Sequence, residues 1–218
     1  QSVGEPALTG VKVYLLENGI VVDSVLTDST GNYHFPNLVS NSYTVKVSIP
    51  EDFKSTQANN GLNDTLDSDG DSNGASHPIS IDIRNLTVDT LRNNPNIDFG
   101  LIRTGSIGDY VWADNNANGI QDSIEVGVDN VKVYLLNILG QKIDSMLTDA
   151  TGKYEFKGLL TGNYEIQFES VGNYEFSQLG QGADSTDSNP ATNGKTGPIT
   201  INTSFPTECQ IWEAYLFR

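Results

Sequence analysis

The residues best suited to chemistry in this chain occupy positions 114–125, which read Asp-Asn-Asn-Ala-Asn-Gly-Ile-Gln-Asp-Ser-Ile-Glu. Oxygen-bearing side chains at alternate positions, a glycine in the middle and a closing glutamate satisfy the D-x-[DN]-x-[DN]-G-x5-E pattern at every specified place. That arrangement suits a hard cation such as calcium, which gathers oxygen ligands around a tightly curved backbone. Asp114, Asn116 and Asn118 each offer one oxygen. Gly119 permits the backbone reversal, Ile120 offers its carbonyl, and Asp122 binds directly or through water. Glu125 closes the shell with both carboxylate oxygens. The alternative is an asparagine-rich loop held by its own side-chain hydrogen bonds, which such residues also form. The pattern does not demand helices: the flanking Tyr110-Val111-Trp112 and Val131-Lys132-Val133 alternate as strands do.

Two further acidic stretches occupy matching places in the chain. One is Asp64-Thr65-Leu66-Asp67-Ser68-Asp69-Gly70-Asp71 and the other Asp184-Ser185-Thr186-Asp187. Asp64, Asp67, Asp69, Asp184 and Asp187 are candidates for weaker calcium sites, since crowded carboxylates repel one another until a cation relieves them. The alternative is a solvated acidic loop. Asn189 stands where the first stretch has Asp69, so the second is expected to bind more weakly. Asp28 and Asp149 open Asp-x-x-Gly turns, where an aspartate caps the turn more often than it ligates a metal. Asp109 is open to two readings, the end of a sheet or a ligand.

The elements that position these groups come in duplicate. With Lys12 laid over Lys132, Val11-Lys12-Val13-Tyr14-Leu15-Leu16 meets Val131-Lys132-Val133-Tyr134-Leu135-Leu136, and Leu26-Thr27-Asp28 meets Leu147-Thr148-Asp149. Within each copy the apolar period is two. Tyr43, Val45 and Val47 alternate with polar neighbours, as do Tyr164, Ile166 and Phe168. Turn formers such as Glu17-Asn18-Gly19 and Leu139-Gly140 separate the runs. Short strands and frequent turns without a helical stripe predict an all-β chain of two tandem antiparallel Greek-key sandwiches, immunoglobulin-like in architecture. The boundary is expected near Arg103-Thr104-Gly105, giving domains 1–103 and 104–218. The second copy opens with the strand Ser106-Ile107-Gly108-Asp109-Tyr110-Val111-Trp112. The first lacks that strand and its loop, as a fragment of a longer array would, or as a subunit receiving a donated strand would.

Ile107-Gly108-Asp109-Tyr110-Val111-Trp112, the 114–125 loop and Thr148-Asp149-Ala150-Thr151-Gly152-Lys153-Tyr154-Glu155-Phe156 together resemble the B-repeat domains of serine-aspartate-repeat surface adhesins. The resemblance covers the second copy and the first from about Glu5 onward. It implies a prealbumin-like or collagen-adhesin-B-type sandwich, stiffened by calcium and serving as an extracellular spacer. It also implies that the acidic stretches contribute further, looser calcium sites.

Composition narrows the function classes. Of 218 residues, 28 are Asp or Glu and 12 are Lys or Arg, for a net charge of -16. That field repels nucleic-acid phosphate and anionic lipid and attracts cations. No apolar run approaches the roughly 18 residues of a membrane span. Cys209 is the single cysteine, so neither an intrachain disulfide nor a cysteine zinc site can form. Lys12 and Lys132 alternate with valines as outward residues do, which argues against an isopeptide crosslink. No nucleophile has an evident base and no phosphate loop is present, so the chain reads as no enzyme. The favoured function is a calcium-stiffened spacer of an extracellular surface adhesin or fibre, with calcium ions and adjacent repeats as partners. The alternative is an adhesive module that binds a host or matrix protein or a glycan with loops at one end of the sandwich. An exposed aromatic patch at Tyr110 or Trp112 would favour the alternative.

Overall fold

The computed structural model describes residues 6–58, 68–84, 94, 96–172, 174–181, 183 and 187–203. It divides into two compact units, Gln1–Arg103 and Thr104–Arg218. Every ladder between its named strands is antiparallel.

In the second unit, β7 (Gly105–Tyr110) pairs with β10 (Lys153–Leu159). Facing this pair is a four-stranded sheet in the order β12-β11-β8-β9, built from Ile199–Ile201, Gly162–Phe168, Lys132–Asn137 and Lys142–Leu147. The chain leaves β9 for β10 in the other sheet and returns to lay β11 beside β8, which is a Greek-key crossover. The period-two pattern explains the burial. Ile107, Val133, Leu135, Phe156, Ile166 and Ile201 point inward from the two layers and are almost completely buried. Losing Ile166, with none of its surface exposed, would cost about 2–5 kcal/mol by cavity formation.

The first unit repeats the larger sheet as β2-β1-β3-β5, from Ile20–Leu26, Lys12–Glu17, Asn41–Val47 and Ile79–Ile81. A short pair, β4 (Phe53–Ser55) with β6 (Leu101–Arg103), closes it. Ile83, two residues past the end of β5, lies in a turn with half its surface exposed. The register shift between Leu15 and Leu16 recurs between Leu135 and Leu136. The hairpins beside it differ. Asn18 and Gly19 both have positive φ, as a two-residue type I′ turn requires. The second unit uses one residue more, with Gly140 at φ 73.

Residues 33–36 of the first unit correspond to the start of β10. They keep its alternation, Tyr33 half-buried, His34 exposed and Phe35 buried, yet form no ladder. Among the described residues the first unit has no counterpart of β7. Asp28 and Asp149 cap their turns alike. Each accepts the backbone N–H and hydroxyl of the threonine two residues on, and the N–H four residues on, at 2.7–3.0 Å.

Candidate functional site

Residues 114–125 leave the end of β7 and return before β8. Backbone bonds from Ala113 to the Val126 carbonyl and from Val128 to the Val111 carbonyl, 2.9 and 2.8 Å, tie the two ends of the loop together. The loop therefore joins strands. Inside it, Asp114 Oδ2 accepts the N–H of Gly119 at 2.9 Å and Oδ1 that of Asn118 at 3.2 Å. Asn116 Oδ1 accepts from Asn118 N and Asn118 Oδ1 from Ile120 N, at 3.0 and 2.7 Å. Both asparagine amides also donate to Asp122 Oδ2, at 2.8 and 3.0 Å. Glu125, 9% exposed, spans the loop: Oε1 accepts from Asn115 N at 2.9 Å and Oε2 from Asp122 N at 3.0 Å. The alternate spacing thus gathers the side chains of positions 114, 116, 118, 122 and 125 into one hydrogen-bonded loop.

Gly119 is required twice over. Its φ is +73°, and a Cβ there would lie 2.5 Å from the Gln178 carbonyl oxygen. The close approach arises because the loop docks on the segment that follows β11. The Ser188 N–H donates to the Gly119 carbonyl at 3.0 Å, and Ile120 forms a bridge with Asp187. Burial pushes the Asp114 carboxyl up, but the Gly119 N–H, a Ser177 hydroxyl bond and the Asn118 and Ala117 N–H groups outweigh it and hold the group below the usual carboxylate range.

The donor set is all oxygen and carries three carboxylates, which fits a hard divalent ion. Among the described residues no three His, Cys, Asp or Glu side chains cluster at metal-holding distance. The loop's oxygens come as much from amides and main chain as from carboxylates. Asn116 and Asn118 turn their NH2 groups to Asp122; turned over, their oxygens would face its carboxylate, a repulsion that a cation between them would reverse.

A family model described as the SdrD B-like domain matches residues 1–101 and again 105–215. The chain belongs to the SdrD B-like domain family. Serine-aspartate repeat-containing protein F of Staphylococcus epidermidis is 41% identical over 168 residues, which is 74% of this chain and 10% of that protein. Serine-aspartate repeat-containing protein C of Staphylococcus aureus is 38% identical over 165 residues, 74% of this chain and 16% of that protein. The chain thus spans about a tenth to a sixth of the length of these relatives. Among solved structures, the minor pilin GBS52 of Streptococcus agalactiae aligns over 91% of this chain and 80% of its own, with 15% identity and a TM-score of 0.29. The major pilin subunit BcpA of Bacillus cereus aligns over 89% and 52%, with 10% identity and a TM-score of 0.30. As SdrD B-like domains, the two units are structural repeats of an extracellular, cell-surface protein and not an enzyme.

The other sequence-level candidates of these SdrD B-like units fare unevenly. Asp64, Asp67 and Asp184 lie outside the described residues. Asp69 sits opposite Asp98: its N–H donates to the Asp98 carbonyl, and its Oδ2 accepts the Asp98 N–H, both at 2.8 Å. Beneath them Tyr33 donates to the Ile97 carbonyl at 2.7 Å, its hydroxyl pushed up by burial and by these two carboxylates. Asp187 is brought to the 114–125 loop by its bridge with Ile120 and near enough to Asp109 to disfavour that residue's ionisation. Burial is the larger cause, raising the Asp109 carboxyl to about 7 against the lowering effect of the Tyr110 N–H. Sequence reasoning left Asp109 undecided because only its packing fixes its environment.

What sequence reasoning missed is a cleft of about 130 Å³ beside the loop. Tyr110 and Trp112, both half-buried, stack with centroids 6.4 Å apart and planes 9° apart. Phe168, Tyr174 and Phe176 also line the cleft, and Asp114 is part of its wall. The repeat could not signal it, since Tyr110 and Trp112 have no counterpart in the first copy.

Proposed function

We propose that the chain is a calcium-stiffened spacer, with the 114–125 loop of its second unit as the principal calcium site. The observation that supports this reading is that the side chains of Asp114, Asn116, Asn118, Asp122 and Glu125 are all bonded within one loop, which docks on Gln178, Asp187 and Ser188. Calcium would add the Ile120 carbonyl and replace hydrogen bonds between loop side chains with shared ligation. Binding only the folded loop would stabilise the unit by RT ln(1 + [L]/Kd). Extracellular modules hold calcium at about 10⁻⁴–10⁻³ M. Asp187, with Asp109 behind it, is the best placed of the weaker candidates. In the first unit Asp69, bonded to Asp98, is the remaining candidate among the described residues. Adjacent repeats of the array are the partners such a spacer requires. Isothermal calorimetry of calcium binding to the chain and to Asp114→Asn tests the assignment. The variant should lose the tightest site, and an unchanged stoichiometry and affinity would refute it.

An adhesive role alongside the spacer role draws support from the aromatic cleft, because Tyr110 and Trp112 are neither sealed in the core nor scattered singly.

A further inference from the structure

The cleft beside the 114–125 loop has a chemistry that singles out one class of occupant. Its volume of about 130 Å³ equals the share of roughly four liquid waters. Ordinary small-molecule pockets start near 300 Å³, so this one suits a single inserted side chain. Its walls are the rings of Tyr110, Trp112, Phe168, Tyr174 and Phe176, and three carboxylates, Asp114, Glu169 and Glu175, stand among the lining residues. Among the described residues no lysine, arginine or histidine lines it. Aromatic faces and carboxylates without a counter-cation attract a positive charge on an apolar stem. Glu169, Tyr174 and Glu175 are exposed and accessible to an arriving partner, Tyr174 with 58% of its surface.

A second, independent observation is the indole of Trp112. Its Nε1 is buried and has no acceptor. An indole nitrogen only donates, and a buried donor left unmade costs about 1–3 kcal/mol. Trp112 lines the same cleft, so an occupant bringing an oxygen acceptor relieves that penalty once the ring turns its Nε1, closed off in the free chain, toward it. A lysine side chain alone lacks one; the peptide carbonyl beside it supplies one.

We propose that this cleft is a docking site for a lysine or arginine side chain of an extended peptide, held by the Tyr110–Trp112 stack and the carboxylates, with a peptide carbonyl accepting from Trp112 Nε1. The inference deepens the adhesive reading above and is independent of whether the loop binds calcium. The net charge of -16 adds long-range attraction for basic segments and makes the contact sensitive to salt.

The test uses the whole chain and three probes: acetyl-Gly-Gly-Lys-Gly-Gly-amide, the same peptide with norleucine in place of lysine, and a chito-oligosaccharide. The readout is the indole N–H cross-peak of Trp112 in a ¹⁵N–¹H spectrum, assigned with Trp212→Phe. Saturable movement is expected with the lysine peptide, at least tenfold weaker binding with norleucine, and several-fold weakening between 50 and 300 mM salt. Trp112→Phe keeps a ring, deletes the donor and with it the reporter peak, and should cut affinity about tenfold when read by calorimetry. Glu175→Gln, an exposed change that leaves folding intact, should cut it about threefold. Equal binding of the norleucine peptide, or an indole signal unmoved by saturating lysine peptide, would overturn the proposal. So would movement with the oligosaccharide alone, which would assign the cleft to a glycan. Running each titration with calcium and with chelator separates this outcome from failure of the calcium site.

Discussion

Glu125 is the residue whose loss should separate a calcium site from a loop that merely holds itself together. Its two oxygens accept from Asn115 N at 2.9 Å and Asp122 N at 3.0 Å, and the side chain is 9% exposed. Bonds to a charged acceptor are worth about 1.5–3 kcal/mol each. The Asn115 side can recruit water, so Glu125→Ala in chelator should cost about 3 kcal/mol. Glu125→Gln keeps one oxygen and should cost about half that. For a unit of this size, 1 kcal/mol moves the melting temperature by about 4 °C, which places the alanine variant roughly 12 °C below the parent without calcium. Calcium at ten times its dissociation constant adds about 1.4 kcal/mol to the parent, or about 5–6 °C. Neither variant should show that increment. Scanning calorimetry with and without chelator reads both numbers, and Ile166→Ala identifies the transition of the second unit, because Ile166 is fully buried there. A calcium-induced rise in Glu125→Gln equal to that of the parent would refute the ligand role, whatever happens in chelator.

Other consequences are as direct. In calcium-free buffer the second unit should lose stability as pH rises from 5 to 8, because Asp109, at about 7 when folded against an ordinary 3.8, keeps a proton that the unfolded chain has released. The effect over that window is at most about 3 kcal/mol; urea midpoints should show it in the parent and not in Asp109→Asn, and a flat parent profile would contradict it. Gly119→Ala should weaken calcium binding and cost about 3 kcal/mol, since φ +73° and the Gln178 carbonyl both oppose a Cβ; an unchanged urea midpoint would show that the loop can move away. Thr148→Val should cost about 2–4 kcal/mol, because the buried hydroxyl accepts from Val131 N at 3.0 Å and donates to the Val128 carbonyl at 2.7 Å. Thr148→Ser should recover most of that loss in the same urea assay.

The sequence by itself determined the duplication, the strands and the loop, because each is a local or periodic property. Val133, Leu135 and Ile166 face inward for the reason that alternate residues of a strand share a face, and the gap between the two copies appears wherever their sequences are aligned. The 114–125 pattern was legible because its residues interact mostly with each other, two to ten positions apart. Strand pairing was less legible: residues 33–36 and 154–157 have matching patterns, yet only the second run forms a ladder, because a strand needs a partner that its own sequence does not supply. Packing alone decided the rest. Asp109 is raised because folding buries it near Asp187 from a distant segment. Gly119 meets the Gln178 carbonyl only after the loop docks. The cleft joins Tyr110 and Trp112 to Phe168 and Phe176 across two sheets, a proximity that no spacing along the chain encodes.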